Sequence, residues 1–139
     1  MPSEQLENLV ATGQLEHESL DSGEIAGLIR SGEERLRDAE RTELSVNSRF
    51  DLAYNAAHAL SLAALRSQGY RPSNRFIVFQ TLAHTIELAA EQWRVLATAH
   101  TKRNAVEYEG LAEIDEEFVA AMLRVTREVA KRVKASRGR

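Results

Sequence analysis

Apolar residues recur along this chain at steps of three and four, the period of a helix with one buried face. The clearest run is Ala53, Ala56, Ala57, Leu60, Ala63 and Ala64, which predicts a helix from about Val46 to Ser67. So many alanines let neighbouring helices approach closely, which places this helix at the centre of a bundle. Gly69-Tyr70-Arg71-Pro72, a glycine followed by a proline, should end it. Upstream, a short helix is expected from about Ser3 to Ala11, stopped near Gly13. A longer one follows, to about Arg41. Asp21 and Glu24 make a capping-box pattern at its start, and Ile25, Leu28, Ile29 and Leu36 keep helical spacing. Downstream, Ser73 is expected to cap a short helix holding Phe76, Ile77, Val78, Phe79 and Leu82, with a break near His84-Thr85. A long helix carrying Trp93 then runs to Gly110. Asp115 caps the last one, whose stripe is Phe118, Met122, Val125, Val129 and Val133. Strand signals are nearly absent. The expected fold class is therefore all-α, one domain over residues 1–139 with four to five main helices.

The Trp93 helix departs from this pattern halfway along. At about 100° per residue, Trp93, Leu96 and Ala97 share a face. His100, Arg103, Asn104, Glu107 and Tyr108 continue it within an arc of roughly 140°. Burying an imidazole, a guanidinium, an amide, a carboxylate and a phenol is costly unless each finds a partner. Such a stripe lines a cleft, a polar network or a subunit interface. Two readings stand side by side. In one, Arg103 pairs with a carboxylate and Tyr108 hydrogen-bonds through its hydroxyl, as structure alone. In the other, Arg103 binds a phosphate bidentately, Asn104 orients a phosphate or sugar, and a buried Glu107 of raised pKa takes a proton from a 2′-hydroxyl. His100, one turn before Arg103, is the histidine best placed to join them. His58, beside the alanine stripe, reads first as a partly buried structural histidine, and His17 as a solvated one.

Composition narrows the classes further. The chain has no cysteine, hence no disulfide, thiolate nucleophile or cysteine-based metal site. No glycine-rich phosphate loop, zinc motif or nucleophile elbow is present, so neither a metal nor a cofactor is expected. No apolar run approaches the roughly 20 residues of a membrane span, and the polar, acidic start is unlike a secretory signal. A cytoplasmic location without membrane association is the expectation. The net charge of −3 hides an asymmetry: eleven acids against four arginines up to Leu44, and seven Lys/Arg against Glu128 alone from Arg124 onward. The basic end can touch nucleic acid. Cations also favour a helix C-terminus through its dipole, and residues 134–139 read as a flexible basic tail.

Three segments carry a resemblance: Asp51-Leu52-Ala53-Tyr54-Asn55-Ala56-Ala57-His58-Ala59-Leu60, then Gly69-Tyr70-Arg71-Pro72, then Arg103-Asn104-Ala105-Val106-Glu107-Tyr108. Together they resemble the HEPN domain over about residues 44–133, with the Arg-Asn segment the more telling. The resemblance implies an antiparallel helical bundle that forms a homodimer. It implies a metal-independent endoribonuclease of the toxin type, paired with a minimal nucleotidyltransferase antitoxin and acting on RNA in a cleft at the dimer interface. The family's motif is an arginine, often followed by a polar residue, with a histidine four to six residues further on. Arg103 and Asn104 match its start; the histidine slots hold Tyr108, Glu109 and Gly110. Three outcomes follow. Tyr108 or Glu107 substitutes, His100 enters the site from one turn upstream, or the domain binds nucleotide, RNA or partner without cutting. The resemblance also makes Tyr108 a candidate target for modification by the nucleotidyltransferase.

Overall fold

The computed structural model describes residues 3–109 and 113–137, with the backbone alone at 107–109 and 137. The chain is mostly helical. In order it forms α1 (Glu4–Ala11), β1 (Leu15–His17), α2 (Ser22–Ala39), α3 (Val46–Ser67), β2 (Tyr70–Pro72), α4 (Phe76–Gln80), α5 (Leu82–Thr85), α6 (Ala90–Glu109) and α7 (Glu116–Arg137).

Helix α3 is the axis of the fold. It touches α2, α4, α5, α6, α7 and β2, and Phe50, Ala53, Tyr54, Ala56, Ala57, Leu60, Ala63 and Ala64 are buried along it. Its small side chains admit α2 at short range. A Cβ placed on Gly32 would lie 2.6 Å from Leu60 Cγ and 3.3 Å from the Ala56 carbonyl oxygen. Helix α7 covers another side with Val119, Met122, Val129 and Val133, and α6 contributes Leu96 and Ala99 to the same core. A smaller core of Leu6, Leu15, Leu65, Tyr70 and Ile77 lies under α1 and the strands.

Helix starts follow their expected chemistry where the side chain can reach. Asp21 accepts from the Glu24 N–H at 3.0 Å and Asp115 from the Phe118 N–H at 2.7 Å, each satisfying an otherwise orphaned donor. Ser73 does not cap α4. Its hydroxyl donates to the Gln14 carbonyl at 2.9 Å, and Asn74 accepts from the Ile77 N–H at 3.1 Å instead. The expected break at His84-Thr85 falls just after them, where Glu87 takes a positive φ of 54°.

The helical content agrees with the all-α expectation, with one local exception. β1 and β2 pair antiparallel, with Leu15 opposite Pro72, Glu16 opposite Arg71 and His17 opposite Tyr70. Gly13 and Gly69, at φ 81° and 89°, make the turns that lead into the two strands. His17 is correspondingly not merely solvated: it lies 2.8 Å from Glu7 and packs against the Tyr70 ring. Arg66 ties this sheet to the bundle. Its side chain is 1% exposed and ion-pairs with Glu24 at 3.0 Å. It also donates to the carbonyls of Ser19 at 2.7 Å, Tyr70 at 3.3 Å and Glu18 at 3.4 Å. Arg71 closes the network by reaching both Glu18 and Glu24, and its hydrogen bond holds the Glu18 carboxyl below the usual carboxylate range.

Part of the charge asymmetry is compensated within the fold. Arg127 pairs with Glu40 at 3.2 Å and Lys134 with Glu33 at 2.9 Å, so the basic face of α7 lies against the acidic face of α2. Residues 134–137 correspondingly continue α7 instead of beginning a flexible tail; residues 138–139 lie outside the described part.

Two stability measurements check this packing. Gly32→Ala gains about 1 kcal/mol of helix propensity, but the Leu60 clash costs about 1–3 kcal/mol. The variant should therefore be less stable than wild type in urea, by up to about 2 kcal/mol; a gain would contradict the close approach. Arg66→Ala should cost about 3 kcal/mol, the low end for breaking a buried ion pair, because Arg71 stays beside both glutamates.

Candidate functional site

The polar half of the α6 stripe meets the first half of α3. Tyr54 is fully buried, and its hydroxyl lies 2.9 Å from His100 Nδ1. The other ring nitrogen of His100 faces Asn104 Nδ2 at 3.2 Å. With the amide so oriented, Asn104 donates to Nε2, which leaves the proton on Nδ1 to be donated to the Tyr54 oxygen. Arg103, one turn after His100, lays its guanidinium over the Tyr54 ring at 4.8 Å, a cation–π placement. Three of the five stripe residues, His100, Arg103 and Asn104, are thus gathered on one face around a tyrosine. The side chains of Glu107 and Tyr108 lie outside the described residues, though the helix that carries them continues to Glu109.

An aromatic wall backs this group. Tyr54 and His58, one helical turn apart on α3, stack at 6.5 Å between ring centroids. Phe79 meets both edge-on, at 5.8 Å and 6.2 Å, and Phe76 meets His100 edge-on at 5.7 Å. α4 supplies both phenylalanines, with Ile77 and Val78 anchoring it in the core.

Among the described residues, the charged side chains that act on the two imidazoles are cationic. Burial pushes the His58 imidazole down to about 4, with Arg75, Arg103 and His100 acting in the same direction. His100 is lowered for the same kinds of reason: burial first, then Arg103 and Arg75. Burial and these neighbours thus disfavour the charged form of both imidazoles. A neutral imidazole can accept a proton, and two guanidinium groups can bind an anion. Among the described residues no cluster of His, Asp or Glu has the make-up of a metal site.

Tyr54, Arg75 and Phe76 were not singled out from sequence. The Tyr54–His58 spacing of four residues puts two rings on one helix face, and that signal could have found the first of them. Arg75 lies at the N-cap of α4 and Phe76 is its first residue, and helical periodicity marks neither of them as a site residue. A separate hollow of about 540 Å³ lies between α5 and the end of α7, lined by His84, Glu87 and Arg132 among others; it contains none of the stripe residues. Comparison with known protein families, with curated proteins and with solved structures gives no match.

The two imidazoles set an expected pH response. A histidine whose folded pKa is lowered contributes stability that is fully present above its unfolded value of about 6.5. That contribution is lost as pH falls toward the folded value, about 4 for His58. The urea midpoint should therefore drop between pH 6.5 and pH 4, and His58→Gln should flatten part of that drop. An unchanged slope in the variant would contradict the buried, neutral state.

Proposed function

We propose that this chain is a HEPN-like protein. In this reading it is a metal-independent endoribonuclease of the toxin type, acting as a homodimer with a nucleotidyltransferase as its antitoxin partner. The support is the three sequence segments, the mostly helical fold and one observation above all. His100 stands one turn before Arg103, on the same face as Arg103 and Asn104, and both His100 and Arg103 rest on Tyr54. An imidazole next to the Arg-Asn pair supplies what the missing motif histidine would. The antiparallel bundle and the cleft at the dimer interface belong to the same reading.

The chemistry runs as follows in this proposal. His100, or Glu107, takes the proton of a ribose 2′-hydroxyl. The 2′-oxygen attacks the adjacent phosphorus, the bond to the 5′-oxygen breaks, and the departing 5′-oxygen takes up a proton. The products are a 2′,3′-cyclic phosphate and a 5′-hydroxyl. Arg103 stabilises the charge of the phosphorane with its planar fork, an effect of a few kcal/mol by the measure of other oxyanion sites. Tyr108 positions the phosphate.

One observation favours a second reading, a HEPN domain that binds nucleotide, RNA or partner without cutting. Both ring nitrogens of His100 are already engaged, by Tyr54 and Asn104, and a base must release one of them to accept a proton.

Cleavage by the wild-type protein separates the readings, and Arg103→Ala tests the site. Under the first, RNA cleavage proceeds in EDTA and Arg103→Ala lowers its rate by about 100-fold or more, with an unchanged circular dichroism spectrum. Arg103→Lys should not restore it, because lysine lacks the bidentate fork. RNA that is 2′-deoxy at the cut site should resist. Wild-type protein that cuts no RNA, alone or with its partner, but holds a nucleotidyltransferase tightly would establish the second reading.

A further inference from the structure

Phe76 is out of keeping with its surroundings. Ile77, Val78 and Phe79, the next three residues of α4, are all buried, while Phe76 is 50% exposed. Its ring is nonetheless held. It makes a T-shaped contact with His100 at 5.7 Å, with planes at 66°, and the Asn74 side chain caps the start of its helix by accepting from the Ile77 N–H. The result is a half-exposed aromatic ring packed against His100. Beside it, Arg75 is exposed and takes part in no ion pair among the described residues. It stands directly before Phe76 at the start of α4, and with Arg103 it is among the cations that lower His58 and His100. An open aromatic ring flanked by guanidinium charge is the combination that binds single-stranded nucleic acid: the ring stacks a base, and the cations follow the phosphates. A duplex is a poor fit, because its bases are already stacked on both faces.

We propose that Phe76 and Arg75 form a nucleotide subsite beside His100, in which a base of single-stranded RNA stacks on the open surface of the Phe76 ring and an adjoining phosphate pairs with Arg75. The subsite rests on the reading of this face as an RNA site. It adds the element that seats the strand: Phe76 is a positioning residue that fixes where the backbone passes His100 and Arg103. Stacking tolerates any base, so the subsite selects for single-strandedness more than for sequence.

The test uses the full chain and a short single-stranded RNA, made uncleavable by 2′-O-methylation and carrying a fluorescent adenine analogue whose emission falls on stacking. Wild-type protein should bind it and quench the analogue. Phe76→Ala should weaken binding by about 5- to 100-fold, the range that loss of one base–aromatic stack spans, and abolish the quenching. Phe76→Trp should retain both. Arg75→Gln should leave the quenching intact but make binding less salt-sensitive, lowering the slope of log K against log salt by about 1. Phe76→Ala protein that binds and quenches like wild type overturns the subsite, even if Arg103-dependent cleavage persists. Loss of binding together with conversion of a dimer to a monomer by sedimentation also overturns it, by showing that Phe76 packs against a second copy. Wild-type protein that binds no single strand does the same. Phe76-dependent binding without any cleavage leaves the subsite standing and removes only the ribonuclease reading.

Discussion

Helix α3 has to be covered along one broad face. Its alanines, with Phe50, Tyr54 and Leu60, make that face apolar, and an apolar face so wide is stable only when other elements pack on it. The rest of the fold answers that requirement. α2 takes the side where Gly32 permits close approach to Leu60, α7 takes another, and the α4–α6 segment closes the remainder. Enclosure also forces the polar members of α3 inward. Tyr54 and Arg66 are both fully buried, three turns apart, and each must be satisfied where it stands. The two solutions organise the two ends of the molecule.

At the Arg66 end, a guanidinium out of water is matched by Glu24, by three carbonyls and, through Arg71, by Glu18. Those partners come from the start of α2 and the segments next to both strands, so one buried cation fixes the path of the chain between four elements. At the Tyr54 end, the solution is His100, contributed by α6. A buried phenol that must hydrogen-bond draws an imidazole to it, and the imidazole brings Arg103 and Asn104 on the next turn. The candidate site is in this sense a consequence of how α3 is enclosed: the polar half of the α6 stripe is where it is because Tyr54 needs a partner.

Periodicity made most of this legible. The span of α3, the Asp21 and Asp115 caps and the polar turn of the α6 stripe can all be read from spacing, because helical geometry converts sequence separation directly into position on a face. The sheet could not be read that way. Leu15-Glu16-His17 and Tyr70-Arg71-Pro72 are too short for an alternating pattern to stand out, and what stabilises them is pairing across more than fifty residues, together with Arg66 behind them. Ser73 departs from its local capping pattern for a related reason, since its hydroxyl is drawn to Gln14 across the same long-range contact. In the site, His100 and Asn104 announce themselves as neighbours four apart on one helix. The contact between His100 and Tyr54 joins two helices and has no signature in local spacing.

The cationic neighbours of the two imidazoles have a consequence for any anion that arrives there. Arg103 and Arg75 both work against protonation of His58 and His100, adding to the effect of burial. A phosphate seated between these guanidinium groups would offset their charge, and the electrostatic part of the depression would relax. Burial would remain, so the imidazoles would rise toward their ordinary value without reaching it. A proton acceptor is most effective when its pKa lies near the working pH. In the proposed reaction, binding the phosphodiester would therefore move His100 toward the range where it takes a proton readily. Arg103 would serve twice, first by adding to the effect of burial on the imidazoles and then by meeting the charge of the phosphorane. The same compensation would operate in a domain that only binds, where it would appear as uptake of protons on anion binding. The cationic surrounding thus supports anion recognition under both readings, and the freedom of His100 to exchange its bonds to Tyr54 and Asn104 is what divides them.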